Sequence, residues 1–449
     1  MRAVRLVLIL FLVMPGALLA GTQRITLDEA LDIALRKNKE IAAARLGVEK
    51  AEAQIAEAIG NALPSLNLSA MYTRNLQLPV FFIPDFQNPS SGRLNPVTVG
   101  LDNQYSVGLS ASQILFNSAV FTGIGASKIY KYAAQEQLNS TIATVLTQTK
   151  KQFFAALLAR DLVGIAEASL NNGRENLSTI QVLFREGLVA EFDAIRAEVA
   201  VENIRPYVTQ AEAGYRNAIH ALETQLGGDF QDSLEPEGSF SATLEELPTE
   251  ETAMVKALKD NYDLKALMLQ TDVTKEFVSV AESDYFPTLA AFGNWQNQGQ
   301  SNTFSEWTSA SSTGVGLSLS MNLFNGLRTK AKVQQSQADY ETVRTQLARL
   351  KDGVKLQVKS FLNLLVSARQ RVQAQQRTVE QAQRGYEIAQ IRYREGTGSL
   401  LEINDSDLAL AQARTNKVQA LHDYYSAKAD MDRVLGSLDT KYFVQVQRN

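Results

Sequence analysis

The chain carries one set of landmarks twice, at spacings that agree almost to the residue. Asn38 lies 26 positions before Pro64, and Asn261 lies 26 before Pro287. Leu115-Phe116-Asn117 leads Arg185-Glu186-Gly187 by 70 positions, and Leu323-Phe324-Asn325 leads Arg394-Glu395-Gly396 by 71. Arg185 to Gly227 is 42, as is Arg394 to Gly436. Only the stretch from the proline to Leu-Phe-Asn differs, 51 residues against 36, so length is free there and fixed elsewhere. Free length marks a loop tip between rigid elements. A duplicated unit of this size is too long for an ordinary solenoid repeat and points to two equivalent halves of one wall.

The first twenty residues read as a secretory signal: Arg2 and Arg5, an apolar run from Leu6 to Met14, a Pro15-Gly16 break, and Ala20 as the cleavage residue. The expected divisions are a leader at 1–20, a first repeat at 21–226, a connector at 227–250, a second repeat at 251–436 and a tail at 437–449. There is no cysteine, which removes disulfides, thiolate metal sites and a lipid-bearing Cys together. A formal net charge of −4 gives no basic surface for nucleic acid.

Each half reads as helix, strand, strand, long helix, returning helix. From Thr26 to about Gly60, Leu27, Leu31, Ile33, Ala34 and Ile41 form one apolar stripe, and Pro64 ends the element. Residues 65–76 alternate Leu66, Leu68, Ala70 and Tyr72 against Ser65, Asn67, Ser69 and Thr73, a strand with one apolar and one polar face. A return strand is expected at about 97–115. Between them 78–99, with Pro79, Pro84, Pro89 and Pro96, reads as an exposed loop. The second half predicts a helix at 251–283 and strands at 287–296 and 312–324. Val315, Leu317, Leu319 and Met321 there oppose Gly316, Ser318, Ser320 and Asn322. Such alternation fits the wall of a membrane barrel or a soluble hairpin with one wet face. Four strands cannot close a barrel, so either a helix covers the sheet or several chains pool strands. Pro64, Phe116, Pro287 and Phe324 mark the switches between strand and helix.

The stretches 118–184 and 326–393 contain no proline, and as continuous helices each is about 100 Å long. Their heptad positions, Ile142, Val145, Thr149, Gln152, Ala156, Ala159, Val163, Ala166 and Leu170 in one and Leu347, Leu350, Val354, Gln357, Phe361, Leu364 and Ala368 in the other, are small and mixed with Gln and Thr, which suits shallow side-by-side packing. Gly187 and Gly396 stop them, and helices return at about 191–226 and 400–435. Pro206 in the first return helix is matched by Thr415 in the second, which predicts a kink in one copy only.

These features together, with Leu323 to Gly326 at the strand-to-helix switch and Tyr393 to Gly396 at the helical turn, resemble the TolC-type outer-membrane efflux proteins. The resemblance covers nearly the whole chain after the leader. It implies an α+β membrane protein, mostly helical, in which a homotrimer closes a twelve-stranded β-barrel from four strands per chain, continued by a periplasmic α-helical barrel. The implied function is passive conduction across periplasm and outer membrane as the exit channel of a tripartite efflux or type I secretion system. The implied partners are a periplasmic adaptor protein, an inner-membrane efflux pump or ABC exporter, and outer-membrane lipid. By position after the second turn, Glu402 and Asp405 match the family's acidic constriction. Asp193 stands at the equivalent of Glu402 in the first repeat, whereas Arg196 replaces Asp405. Gly398 stands where family members lock the closed tunnel with an arginine. The turns 185–189 and 394–399, with Arg185, Gly187, Leu188, Arg394, Gly396 and Thr397, are the implied adaptor-docking surface. The second reading is a periplasmic coiled-coil scaffold with a soluble β-domain. No nucleophile, base and orienting group assemble from the residues, so an enzyme is not expected. His220 and His422 are not at equivalent repeat positions, and Gly123-Ile124-Gly125 lacks the third glycine of a dinucleotide loop. No cofactor or metal is expected.

Overall fold

The computed structural model describes residues 22–438 apart from 85–86, 88–91, 229, 231–232 and 242–243. The leader with Ala20 and nearly all of the tail from 437 lie outside the described residues. The elements in chain order are β1 (Thr22–Ile25), α1 (Leu27–Lys37), α2 (Lys39–Gly60), β2 (Ser65–Arg74), β3 (Val80–Pro84), β4 (Leu94–Thr98), β5 (Asn103–Phe116), α3 (Ser118–Arg185) and α4 (Glu191–Leu226). The second half follows with β6 (Ser233–Pro236), α5 (Glu250–Asp260), α6 (Tyr262–Glu282), β7 (Thr288–Ser301), β8 (Thr308–Ser320), α7 (Arg328–Arg394) and α8 (Leu400–Val434). The chain forms two compact units. One gathers the residues up to Ala43, Asn139–Asn261 and those from Gly353 onward; the other gathers Ala44–Leu138 and Tyr262–Asp352. Each unit draws on both repeats, so compactness cuts across the duplication.

In the first unit, the single helices expected at 26–60 and 251–283 are each broken, at Asn38 and Asn261. Both asparagines adopt extended backbone, with φ/ψ of −66/129° and −60/126°. The Asn38 amide donates to the Gln225 carbonyl at 2.9 Å, and the Asn261 amide donates to that of Val434 at 3.1 Å. Each thus satisfies a carbonyl at the end of a return helix, one of the groups a helix C-terminus leaves unpaired. Just beyond, Gly227 and Gly436 have φ of +114° and +60°, and a Cβ on them would meet the Lys37 carbonyl oxygen at 2.6 Å and that of Asp260 at 2.3 Å. The recurring Asn and Gly are therefore two copies of one latch. Thr26 opens α1 with a reciprocal capping box to Glu29.

The connector contains one short strand. Its β6 pairs in parallel with β1, Thr22 opposite Ser233 through Ile25 opposite Pro236. Arg160 of α3 donates to the Pro236 and Gly238 carbonyls at 2.8 and 2.7 Å, and Tyr425 of α8 donates to that of Ser241 at 3.1 Å.

The α7 seam differs from the expected heptad. Val354, Val358, Leu365, Ala368 and Val372 are buried, whereas Gln357 and Leu364 are exposed. The seven-residue period holds, but the inward face lies one residue further along at two positions, a shift that periodicity cannot resolve where apolar residues are adjacent. In α3 the expected Ile142, Val145, Thr149, Ala156 and Leu170 are buried, and so are Ala143, Leu146, Phe153 and Leu157. Burial on this second face widens the stripe beyond one seam. Pro206 lies inside α4, which is helical on both sides of it.

In the second unit, four antiparallel strands form a sheet in the order β2-β5-β7-β8. Leu66 opposes Ala111, Leu68 opposes Leu109 and Tyr72 opposes Tyr105; Leu109 in turn opposes Trp295, and Gly293 opposes Val315. Because side chains alternate along each strand, these residues share one face. Ser69, Ser106, Ser110, Gln296, Gln298 and Ser318 share the other. Several strand limits differ from expectation. Gly100, at φ +107°, separates β4 from β5 within the stretch expected as one strand. The segment expected as a loop forms the β3–β4 hairpin, Val80 opposite Thr98 through Pro84 opposite Leu94. Pro84 and Pro96 are tolerated there because a two-stranded sheet has only edges. β7 extends to Ser301, which leaves Trp295 at mid-strand rather than near a strand end. β8 stops at Ser320 rather than 324, opposite Thr288 where its partner β7 begins; Gly326 and Leu327, with positive φ of +67° and +64°, lie in the link to α7.

Candidate gate and docking site at the helical turns

Two turns join the helices of each pair, and the same backbone motif builds both. At the first, the Gly187 N–H donates to Phe184 O and the Leu188 N–H to Leu183 O, each at 2.9 Å. At the second, Gly396 N–H donates to Tyr393 O at 3.0 Å and Thr397 N–H to Arg392 O at 2.9 Å. Glycine at φ +74° and +72° makes this Schellman closure without a Cβ penalty. The second turn carries extra side-chain bonds. Thr397 donates its hydroxyl to Arg392 O at 3.2 Å, and Ser399 caps α8 by accepting from Glu402 N–H at 3.3 Å. Ala190, at the equivalent of Ser399, makes no such bond.

Arg185, Gly187, Leu188, Arg394, Gly396 and Thr397 are all exposed, and Leu188 is 71% exposed. Beneath them lie two apolar clusters: Ile180 with Ala197 and Leu400, and Tyr386 with Ala389, Ile403 and Leu410. Tyr393 packs against both. Burial raises the pKa of its phenol, and the nearby Asp193 carboxylate raises it further.

Glu402 and Asp405 sit on exposed positions of the first turns of α8, while Ile403 and Asp407 point inward. Glu402 pairs with Arg392 of α7 at 3.2 Å. Asp193 lies half-buried on α4, near Tyr393 rather than on the exposed face that carries Glu402. Sequence alone marks Asp407 only as a charge near a helix start. The structure buries it, accepting from the Ser169 hydroxyl and the Asn172 amide of α3, both at 2.6 Å.

At the strand–helix switches, the Asn117 side chain accepts from Val120 N–H at 3.2 Å and donates to the Thr288 hydroxyl at 3.1 Å. Phe116 ends β5 and packs on Phe121, whereas Phe324 lies beyond β8 and is largely exposed. Pro64 and Pro287 each directly precede a strand. Among the described residues no group of His, Cys, Asp and Glu is arranged to hold a metal ion, and no helix is long and apolar enough to cross a membrane.

The sequence pattern of one family, outer membrane efflux protein, matches the chain twice, over residues 30–228 and 253–437. The chain belongs to the outer membrane efflux protein family. It is 21% identical over 417 residues to outer membrane protein TolC of Escherichia coli, covering 90% of this chain and 80% of that one. To the alkaline protease secretion protein AprF of Pseudomonas aeruginosa it is 24% identical over 341 residues, covering 75% and 70%. Its fold resembles the crystal structure of the Campylobacter jejuni CmeC outer membrane channel, with a TM-score of 0.75 at 18% identity over 93% of this chain and 88% of that one. As an outer membrane efflux protein it is mostly helical, with the few strands of that fold.

Proposed function

We propose that this chain is the exit channel of a tripartite efflux or type I secretion system, acting as a homotrimer with a periplasmic adaptor and an inner-membrane pump. The observation that carries the reading is a four-stranded sheet whose edges, β2 and β8, are unpaired among the described residues and whose apolar face is bare. Leu68, Val315 and Leu317 are 73%, 86% and 69% exposed in the single chain. Unpaired edges and bare leucines are costly in water, and a sheet of four strands is too narrow to close on itself. Three copies joined β8 to β2 form twelve strands, leave no edge, and turn the leucines toward lipid. The other face, serine, glutamine and glycine, then lines a wet pore.

The helices favour the same head-to-tail closure. α4 bears six acidic residues and three arginines, while α7 from Gly353 to Arg394 bears eight basic residues and two acidic. Phe192, Ile195 and Val199 of α4 and Ile388 and Ile391 of α7 are exposed. Opposite charge around bare apolar rows matches α4 of one copy to α7 of the next.

In this reading Glu402 and Asp405 ring the periplasmic end, and the two turns receive the adaptor. Six carboxylates about one axis attract cations. Arg392 offsets part of the Glu402 charge, so Asp405 carries more of the selectivity. The test is single-channel conductance of detergent-purified trimers in planar bilayers. Wild type is expected to give discrete cation-selective steps, and Asp405→Ala is expected to lose more of the cation preference than Glu402→Ala. Steps unchanged in the double variant discard the acidic gate and keep the channel. Intact trimers that never conduct discard the channel in favour of a scaffold.

A further inference from the structure

The contact between α3 and α8 combines one aromatic pair, Phe154 against Tyr425 with ring centroids 5.3 Å apart, with small side chains that do not by themselves fix how far one helix is slid along the other. On α8 the heptad-spaced Ala413, Ala420 and Ala427 are all buried, and one alanine replaces another after a slip of seven residues. Small, repeated knobs leave register weakly specified. Two polar contacts join the Phe154–Tyr425 pair in breaking that degeneracy. Asp407, 8% exposed, takes the Ser169 and Asn172 donors at 2.6 Å, and Asp430 pairs with Lys151 at 2.9 Å. Residue numbers rise along one helix as they fall along the other, so the helices are antiparallel.

We infer that Asp407 is a register pin, the positioning residue that sets the height of the α8 N-terminus, and with it Glu402 and Asp405, against α3. A slip of one heptad away from the turns brings Asp407 opposite Leu162 and Ile165, which offer its carboxylate no side-chain donor. A buried carboxylate without donors is strongly disfavoured, so that slip is closed. A slip the other way brings Asp407 opposite Asn176 and Thr179, which can donate, but sets Asp430 against Leu158 in place of Lys151. The Asp430–Lys151 pair is lost by a slip in either direction, whereas Asp407 bars the apolar one. Asp407 guards its direction more strongly because it is the more deeply buried; Lys151 is 36% exposed and a half-exposed ion pair is weak. A buried polar residue in a helical seam is best attested in this register-setting role. The inference rests on the helix contacts alone and holds whether or not the chain conducts.

The chain has no cysteine, so a pair of engineered ones is unique. Nitroxide labels at Arg174→Cys on α3 and Gln412→Cys on α8, both exposed positions, report axial offset by pulsed electron resonance in full-length protein diluted with unlabelled chain. The parent protein and Asp407→Asn, which keeps an acceptor for Asn172, are expected to give one distance. Asp407→Leu removes the bar to the apolar slip and is expected to add a second, longer distance, from an axial shift of about 10 Å. Ser169→Ala with Asn172→Ala leaves Asp407 without partners and is expected to add a shorter distance, from slip toward Asn176 and Thr179. This second variant also carries the test if Asp407→Leu fails to fold. A single, unchanged distance in either folded variant overturns the pin.

Discussion

The return helices α4 and α8 are the same element written twice, offset by 209 positions, and they differ in what they bury. Val201 and Leu410, Leu222 and Met431, and Leu226 and Leu435 are equivalent pairs, all buried. Glu198 and Asp407 are equivalent too, yet Glu198 is exposed and Asp407 is enclosed. Five residues of α4 are buried against twelve of α8. The difference lies in their neighbours. α8 packs on α3 through Asp407 and on α7 through the Arg414–Gln383 bond at 2.8 Å, while outward both helices leave apolar residues exposed, Phe192 and Val199 on α4 and their equivalents Leu401 and Leu408 on α8. Duplication thus fixed the helix and its seam, and place in the layer decided which copy could hold a buried charge.

The contrast is broken most forcefully with proline. Pro206 is exposed on α4, where the missing N–H and the ring meet water; Thr415, its equivalent, is half-buried on α8. Thr415→Pro is expected to cost roughly 3 kcal/mol or more in chemical unfolding, because the lost bond and the ring clash fall against packed neighbours. Pro206→Ala is expected to raise the unfolding midpoint. Equal tolerance of proline in both helices would mean that α8 is no more constrained than α4.

Glycines sharpen it next. Gly227→Ala and Gly436→Ala each combine a positive φ with a Cβ driven into a carbonyl, and are expected to cost about 2–4 kcal/mol. Gly187 and Gly396 share the positive φ but have nothing within 4 Å of where a Cβ would stand, so alanine there should cost only about 1–2 kcal/mol. If the turns are the docking surface, Gly396→Leu is expected to spare trimer assembly and abolish export in cells. Unchanged export would remove that role.

Much of this was legible in the chain. The spacings of Asn38, Gly187, Gly227 and their partners announced a duplication, the alternation in β2 and β8 gave two-faced strands, and Arg-Glu-Gly located both turns to the residue. What escaped depended on contacts between distant segments. Asn38 and Asn261 read as interior helix residues because the carbonyls they satisfy lie on helices nearly 200 residues away. Strand limits failed where backbone and partner strand, not side-chain pattern, decided: at Gly100, with its left-handed φ, and at Ser320, opposite the start of β7. Asp407 was hidden because a carboxylate near a helix start is usually a solvated one, and only the α3 donors distinguish it from Glu198.

The smallest expected effect follows the same comparison to the far end of the return helices. Asp432 on α8 is the equivalent of Glu223 on α4. Glu223, half-buried, meets the exposed His220 on its own helix at 3.0 Å. Asp432 is half-buried too, but among charges from other elements, and burial raises its pKa, against the pull of Lys150, Lys428 and Lys256 and with a further push from Glu245. A raised carboxyl pKa means that the folded chain holds this proton more tightly than the unfolded chain does. Its contribution therefore favours folding at low pH and is lost as pH rises through the folded pKa. Asp432→Asn should accordingly be more stable than the parent at pH 7, with the difference shrinking toward zero below about pH 4, where both forms are neutral. Glu223→Gln should change stability little, since an ion pair within one helix whose partner is exposed contributes little. Unfolding both variants across this range separates the helices again: a stabilisation of Asp432→Asn that does not depend on pH would assign the effect to packing and leave the two copies electrostatically alike.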